Sequence, residues 1–319
     1  MTLSSLLAAV RQELRSYGVV NPDVEAETIL AHVLGLRRTE IYLAPERPVG
    51  AADQARILEI SGERKRRFPL QYLLGEVEFF GLPLKIREGV FIPRPETEIL
   101  VETLIARLGG APRPGRPAGV SGWFRERGPG TVRAILDLGT GSGAIAVALA
   151  KHLRPRLVVA LDVSPAAAAL ARANARLNRV GDVVAPVVGD RLGPVRGAHR
   201  TGAAAAPGAR DIAFDLVVAN PPYVETAEID RLQPEVRDFE PRLALDGGPG
   251  GLDFIAGVLP GIASILRKGS IVAFEIGATQ AEAVAGLFGR AGLCDVEVIK
   301  DLAGRDRIVI GARPADLQV

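Results

Sequence analysis

The first residues, MTLSSLLAAVRQELRSYGV, carry apolar side chains at helical spacing broken by Arg11, Glu13 and Arg15. That pattern predicts an amphipathic helix over Leu3 to Tyr17 and not the apolar core of a secretion signal. Two further helices are expected at Pro22 to Leu34, with Asn21 as cap, and at Asp53 to Arg67. The pattern is helical throughout up to about Phe68, which predicts a small helical domain over 1–73 whose role is packing or partner binding. The run Arg64-Lys65-Arg66-Arg67 reads as a solvated helix end.

Beyond it, EVEFFGLPLKIREGV alternates around Gly81-Leu82-Pro83 and predicts a β-hairpin linker within 74–93. In FIPRPETEILVETLIARL, Pro95 suits a first helical position, and Glu96 and Glu98 fall where the helix dipole favours acids. Over 94–319, strand-like runs (AILDLG, RLVVALD, VVAPVVG, FDLVVAN, SIVAFEIG) alternate with helical ones, the mark of a parallel sheet covered on both faces. Gly- and Pro-rich stretches at 109–130 and 193–213 read as flexible loops. The last two strands, CDVEVIK and DRIVIGA, are joined only by Asp301 to Arg305, too short for a parallel crossover, so they pair antiparallel.

Composition narrows the possibilities. The chain has 319 residues, 48% of them hydrophobic, enough for two domains with a sizeable core. A net charge of +2 is too mild to argue for a nucleic-acid protein. Cys294 is the single cysteine, so no disulfide framework or thiolate cluster exists, and a reducing cytoplasm fits best. His32, His152 and His199 show no ligand spacing, and no metal is expected. No run approaches the about 20 apolar residues of a membrane span.

ILDLGTGSGAIAVALA places Gly139, Gly141 and Gly143 between a strand and a helix, where a ligand can approach backbone N–H groups and the helix N-terminus. The turn also satisfies the dinucleotide fingerprint through Gly139, Gly141 and Ala144, and a bare strand-to-helix turn is the plainest alternative. Asp162 ends the next strand at the distance from which an acid reaches ribose hydroxyls. Asp190, after the third strand, can accept from an adenine amine or cap a loop. Asp137, inside a core strand, is expected to orient the glycine turn or the amino-acid end of a cofactor. The antiparallel ending is typical of S-adenosylmethionine-dependent methyltransferases and leans away from a dehydrogenase.

VVANPPYV runs a buried strand into Asn220 and two prolines that end backbone pairing. Asn220 therefore emerges at the ligand crevice beyond the strand ends. The Asn220 oxygen and the Pro221 carbonyl can accept the two hydrogens of a flat NH2 group, Pro221 and Pro222 hold the acceptors oriented, and Tyr223 adds an aromatic face.

Taken together, FPLQYLLGEVEFFG, GVFIPRPETEILVE, LDLGTGSGAIAVALA, FDLVVANPPYV, EPRLALDGGPGGLDF and DLAGRDRIVI make the chain resemble the HemK family of protein-(glutamine-N5) methyltransferases over nearly its whole length. The resemblance implies a Rossmann-like α/β methyltransferase sheet with an antiparallel last strand, behind a helical domain that docks a peptide chain release factor. It implies that S-adenosylmethionine, leaving as S-adenosylhomocysteine, is held by Gly139, Thr140, Gly141, Ser142, Gly143, Asp162, Asp190 and Asn220. Relatives often carry an apolar residue where this chain has Arg191, whose plane can stack on adenine. Asn220, Pro221, Pro222 and Tyr223 would hold the glutamine of the Gly-Gly-Gln loop, with the stretch from Arg94 to Glu98 nearby and Arg94 and Glu98 on the substrate side. GGPGG, at Gly247 to Gly251, is assigned no chemistry.

The expectation is a cytoplasmic enzyme that methylates a release-factor glutamine, with no membrane partner and no stable nucleic-acid binding. A nucleic-acid amino methyltransferase shares the NPPY chemistry but calls for a basic, aromatic-lined groove, and aromatics are only 5% of the chain. A non-enzymatic nucleotide-binding adaptor leaves the intact corner unexplained, and an NAD oxidoreductase lacks a hydride-site histidine.

Overall fold

The computed structural model describes residues 1–109, 132–196 and 213–315. Most of the two expected loops, 109–130 and 193–213, lies outside the described residues. The chain forms two compact units that are discontinuous in sequence. The first comprises Met1–Val77, Ile86–Glu88 and Leu232–Phe239, and the second holds the described remainder. No helix of the described residues is long and apolar enough to cross a membrane.

The first unit contains α1 (Leu3–Ser16), α2 (Pro22–Leu34), α3 (Ala51–Glu63) and α4 (Leu70–Leu74). Its core is built from one stripe per helix: Leu3, Leu6, Leu7, Val10 and Leu14 of α1, Ala26, Ile29 and Leu30 of α2, and Ile57 and Ile60 of α3. Thr2 caps α1 through its hydroxyl, which accepts from the Ser5 N–H at 3.3 Å. Asn21 occupies the cap position of α2 without a capping bond.

Helix α3 stops before the expected Arg67, tightening into a 3-10 turn over Arg64–Arg66 that ends at Arg67 with φ 59°. The expectation of a solvated basic end holds for Lys65 and Arg66, which are exposed, and fails for Arg64, which is 1% exposed. Arg64 continues the apolar stripe of Ile57 and Ile60, so its charge must be met internally. Its Nε donates to Glu25 at 2.7 Å and its Nη2 to Glu235 at 3.0 Å. Arg67 adds two bonds of 2.7 Å to Glu235.

In the second unit, α5 (Pro95–Leu108), α6 (Ala144–Leu153), α7 (Pro165–Leu177), α10 (Asp253–Ile262) and α11 (Ala281–Arg290) accompany a seven-stranded sheet. The short helices α8 (Gly193–Arg196) and α9 (Pro234–Phe239) complete the set, α9 belonging to the first unit. The hairpin β1 (Glu76–Phe79) and β2 (Leu82–Lys85) turns through Phe80 and Gly81, both at positive φ.

The sheet runs β5 (Val184–Val188), β4 (Leu157–Asp162), β3 (Ala134–Leu138), β6 (Phe214–Ala219), β7 (Leu266–Glu275), β9 (Asp306–Ala312), β8 (Cys294–Lys300). Strands β3 and β6 are buried at every residue, as central parallel strands covered on both faces must be. The last two strands pair antiparallel, as their short connection requires, and β9 is also antiparallel to β7.

Candidate active site

Parallel registers bring the residues singled out in the sequence to one sheet edge. Leu138 is level with Leu161 and with Ala219, Asp162 with Val188, and Ala219 with Phe274. Across the carboxyl ends, in strand order, follow Asp190 after β5, Asp162 ending β4, Gly139 after β3, Asn220 after β6 and Glu275 ending β7.

Gly139, Gly141 and Gly143 all adopt positive φ, of 68°, 54° and 83°, which reverses the chain between β3 and α6. A Cβ at Gly139 or Gly141 would meet no atom within 4 Å, whereas one at Gly143 would lie 2.9 Å from the Cα and Cβ of Ala171 in α7. The first two glycines thus line open space, and the third lets two helices touch. The N–H groups of Gly139 and Thr140 donate to the Leu161 carbonyl at 2.8 and 3.0 Å, and Gly141 donates to Asp162 Oδ2 at 2.8 Å. Those three amides are therefore committed to protein acceptors.

Asp162 Oδ1 accepts from the Ser164 N–H at 2.9 Å, so each carboxylate oxygen keeps a lone pair. Asp137 is fully buried; its Oδ2 accepts from the Thr140 hydroxyl at 2.6 Å and the Ala146 N–H at 3.1 Å, while its Oδ1 has no partner among the described residues. Burial pushes this carboxyl up to about 7 despite the two bonds that favour its charge. Asn174, also buried, donates to the Ser142 carbonyl at 2.8 Å and to Lys85 at 3.0 Å, bracing the turn against β2.

At the corner, Asn220 Nδ2 donates to Thr97 Oγ1 at 2.9 Å, and the Thr97 hydroxyl donates to Glu275 Oε2 at 2.7 Å. The Tyr223 hydroxyl donates to Glu275 Oε1 at 3.2 Å, and the Tyr223 carbonyl accepts from Gln280 Nε2 at 2.9 Å. Among the described residues no donor reaches Asn220 Oδ1 or the Pro221 carbonyl. Glu275 is 0% exposed, and burial pushes it up to about 7 against bonds from Thr97 and Tyr223 and the charge of Arg307. Burial likewise pushes the Tyr223 phenol up, with the nearby Glu275 charge adding to it.

The first turn of α5 does lie beside Asn220, but through Thr97. Glu98 accepts from the Phe80 N–H at 2.7 Å, securing the hairpin turn. Arg94 pairs with the buried Glu240 and sits over the Phe91 ring at 4.7 Å. Asp190 is exposed, and Arg191, at φ 46°, lies against Gly257 of α10, where a Cβ would come 2.6 Å from its Nη1.

Glu275 is absent from the sequence reading, Thr97 enters it only within the stretch from Arg94 to Glu98, and GGPGG is given no role there. Gly247 donates to the Val224 carbonyl at 2.8 Å, and a Cβ at Gly251 would fall 2.3 Å from the Tyr223 carbonyl oxygen, so GGPGG is the wall behind the corner. The available signals were an acid closing the apolar run SIVAFE and a threonine on the stripe of Leu100, Val101 and Leu104.

A family model described as the PrmC N-terminal domain matches residues 5–75, and one described as the TRM5/TYW2 methyltransferase domain matches residues 129–199. The solved hMettl16 catalytic domain, at 15% identity, shares the fold alone, with a TM-score of 0.52 over 84% of each chain. A release factor glutamine methyltransferase of Geobacter sulfurreducens is 39% identical over 97% of this chain and 96% of its own length. One of Moorella thermoacetica is 38% identical over 98% and 99%. At that identity over essentially the whole length, the chain belongs to the release factor glutamine methyltransferase family.

Proposed function

We propose that this chain transfers a methyl group from S-adenosylmethionine to the side-chain amide nitrogen, N5, of the glutamine in the Gly-Gly-Gln loop of peptide chain release factors. Beyond family membership, one observation carries the reading. Asn220 spends its Nδ2 on Thr97 and keeps Oδ1 unengaged, level with the glycine turn on the neighbouring strand.

The turn suits the cofactor. Gly139 and Gly141 leave room that any side chain would fill, and Asp162 has lone pairs left for ribose hydroxyls. Thr140, Ser142 and Gly143 complete the cradle, and Asp190 with the plane of Arg191 is assigned to the adenine. When bound, S-adenosylmethionine supplies a methyl group on a positively charged sulfur.

An amide nitrogen is a poor nucleophile because its lone pair is delocalised, as the ~18–20 kcal/mol amide rotation barrier shows. Asn220 Oδ1 and the Pro221 carbonyl accept its two hydrogens, while Pro222 stiffens the corner and Tyr223 covers the amide plane. Charge that grows on those hydrogens is stabilised by acceptors already in place, each such contact being worth about 2.7–4 kcal/mol in the transition state. The methylated nitrogen sheds its proton to solvent, so no strong base is needed. Arg94 and Glu98 shape the substrate side by holding Glu240 and the hairpin turn.

The helical unit is assigned to release-factor docking, and the reaction to the cytoplasm, in keeping with the lone Cys294. Incubating the purified chain with a release factor and labelled cofactor tests the reading. One added methyl on the peptide carrying the loop glutamine is expected; label in an oligonucleotide, or none in the release factor, refutes it.

A further inference from the structure

Thr97 has one hydroxyl proton and gives it to Glu275 Oε2 at 2.7 Å, while Glu275 Oε1 receives the Tyr223 hydroxyl at 3.2 Å. An ionised carboxylate only accepts, so Thr97 Oγ1 is left with lone pairs alone for its other neighbour. Asn220 must then turn its NH2 group toward Thr97, at 2.9 Å, and its oxygen away. We propose that Glu275 and Thr97 are positioning residues that lock the Asn220 amide with Oδ1 presented to the substrate, the carboxylate setting the polarity of the whole relay. This inference rests on the reading of Asn220 as the acceptor for the glutamine amide.

The groups around Glu275 are Thr97 and Glu96 from the first turn of α5, Tyr223 from the corner, and Arg307 from β9, itself paired with Asp301 at 3.1 Å. Burial and Glu96 favour the protonated acid, the other three favour the anion, and the balance places the group at about 7. A protonated Glu275 carries its own proton for Thr97 and frees the Thr97 hydroxyl to donate toward Asn220. The amide then meets a donor where it now donates, and its fixed orientation is lost.

The test is methylation of a purified release factor at saturating cofactor and substrate. Wild-type kcat should rise about tenfold per pH unit below about 7 and level off above it. Glu275→Gln should flatten that rise and lower the plateau. Thr97→Val, which keeps shape and loses the hydroxyl, should lower kcat by about 10–100-fold with cofactor KM within a few-fold, as expected for a misplaced acceptor. Thr97→Ser should restore most of it.

A second readout needs no turnover: the 15N resonances of the Asn220 side-chain NH2 should move between acid and alkaline solution in the wild type and stay put in Thr97→Val. A Thr97→Val enzyme with wild-type kcat, a Glu275→Gln enzyme that keeps the pH rise, or Asn220 resonances indifferent to pH would each overturn the proposal. If a variant does not fold, the wild-type profile and resonances decide by themselves. A wild type that leaves release factor unmethylated refutes the proposed function instead, and the resonances still judge the relay.

Discussion

Two glycines of the same turn should fail in opposite ways when given a methyl group. Gly141→Ala and Gly143→Ala both force a side chain into the left-handed region, at φ 54° and 83°, which costs about 1–2 kcal/mol. Only at Gly143 does the new Cβ also meet packed atoms, 2.9 Å from Ala171 Cα and Cβ, and such overpacking costs about 1–3 kcal/mol more. Gly143→Ala should therefore lose about 2–5 kcal/mol of stability and Gly141→Ala about 1–2, read from urea midpoints at a common slope. Cofactor affinity should show the reverse order. The Gly141 methyl projects into open space beside Asp162, so calorimetric titration with S-adenosylmethionine should show affinity weakened by about tenfold or more, about 1.4 kcal/mol, and a smaller change for Gly143→Ala. Equal stability losses, or a Gly141→Ala protein with wild-type affinity, would refute the division of labour drawn from the geometry.

Asp137 is held at about 7 in the folded chain, above its ordinary value, so the native state keeps its proton longer than the unfolded one. Its contribution to stability falls as pH climbs from about 4 to about 7 and is flat above. Asp137→Asn should make the decline shallower, with the part due to Glu275 remaining, and an unchanged slope in thermal melts would contradict this. Glu235→Ala should cost about 1.5–3 kcal/mol by stripping charged hydrogen bonds from the buried Arg64 and from Arg67, measured by denaturant unfolding. Burial would raise Glu235, but Arg67 and Arg64 hold it below its usual value, so this stabilisation is present above about 4.5 and fades as pH drops further. Gly251→Ala drives a methyl into the Tyr223 carbonyl and Gln280, and should lower methyl transfer while cofactor affinity holds; unaltered turnover would show that the wall behind the corner is dispensable.

The sheet was legible because its signals are local. Strands β3 and β6, apolar but for one aspartate each, announce central strands, and the short step from Asp301 to Arg305 dictates an antiparallel pair. Asn220 followed by two prolines marks a strand exit whatever the rest of the chain does. Depth along a helix was not legible. Within PETE, the acids Glu96 and Glu98 attract attention, yet it is Thr97 that shares the buried stripe with Leu100 and Val101 and so meets Asn220. Glu275 gave the same clue as Asp137, an acid in an apolar strand, but its partners come from residues 97, 223 and 307, which only tertiary structure assembles. Arg64 was misread for a related reason: its counter-charges, Glu25 and Glu235, lie 39 and 171 residues away in the chain. The place of β9 between β7 and β8 depends on pairing that no single segment encodes.

The most direct trial is the single-turnover rate of methyl transfer to a release factor by Asn220→Ala, set beside its affinity for S-adenosylmethionine. Loss of one preoriented acceptor should slow transfer by about 10²-fold or more and leave the cofactor bound within a few-fold of wild type. Transfer at the wild-type rate would mean that the amide is activated elsewhere.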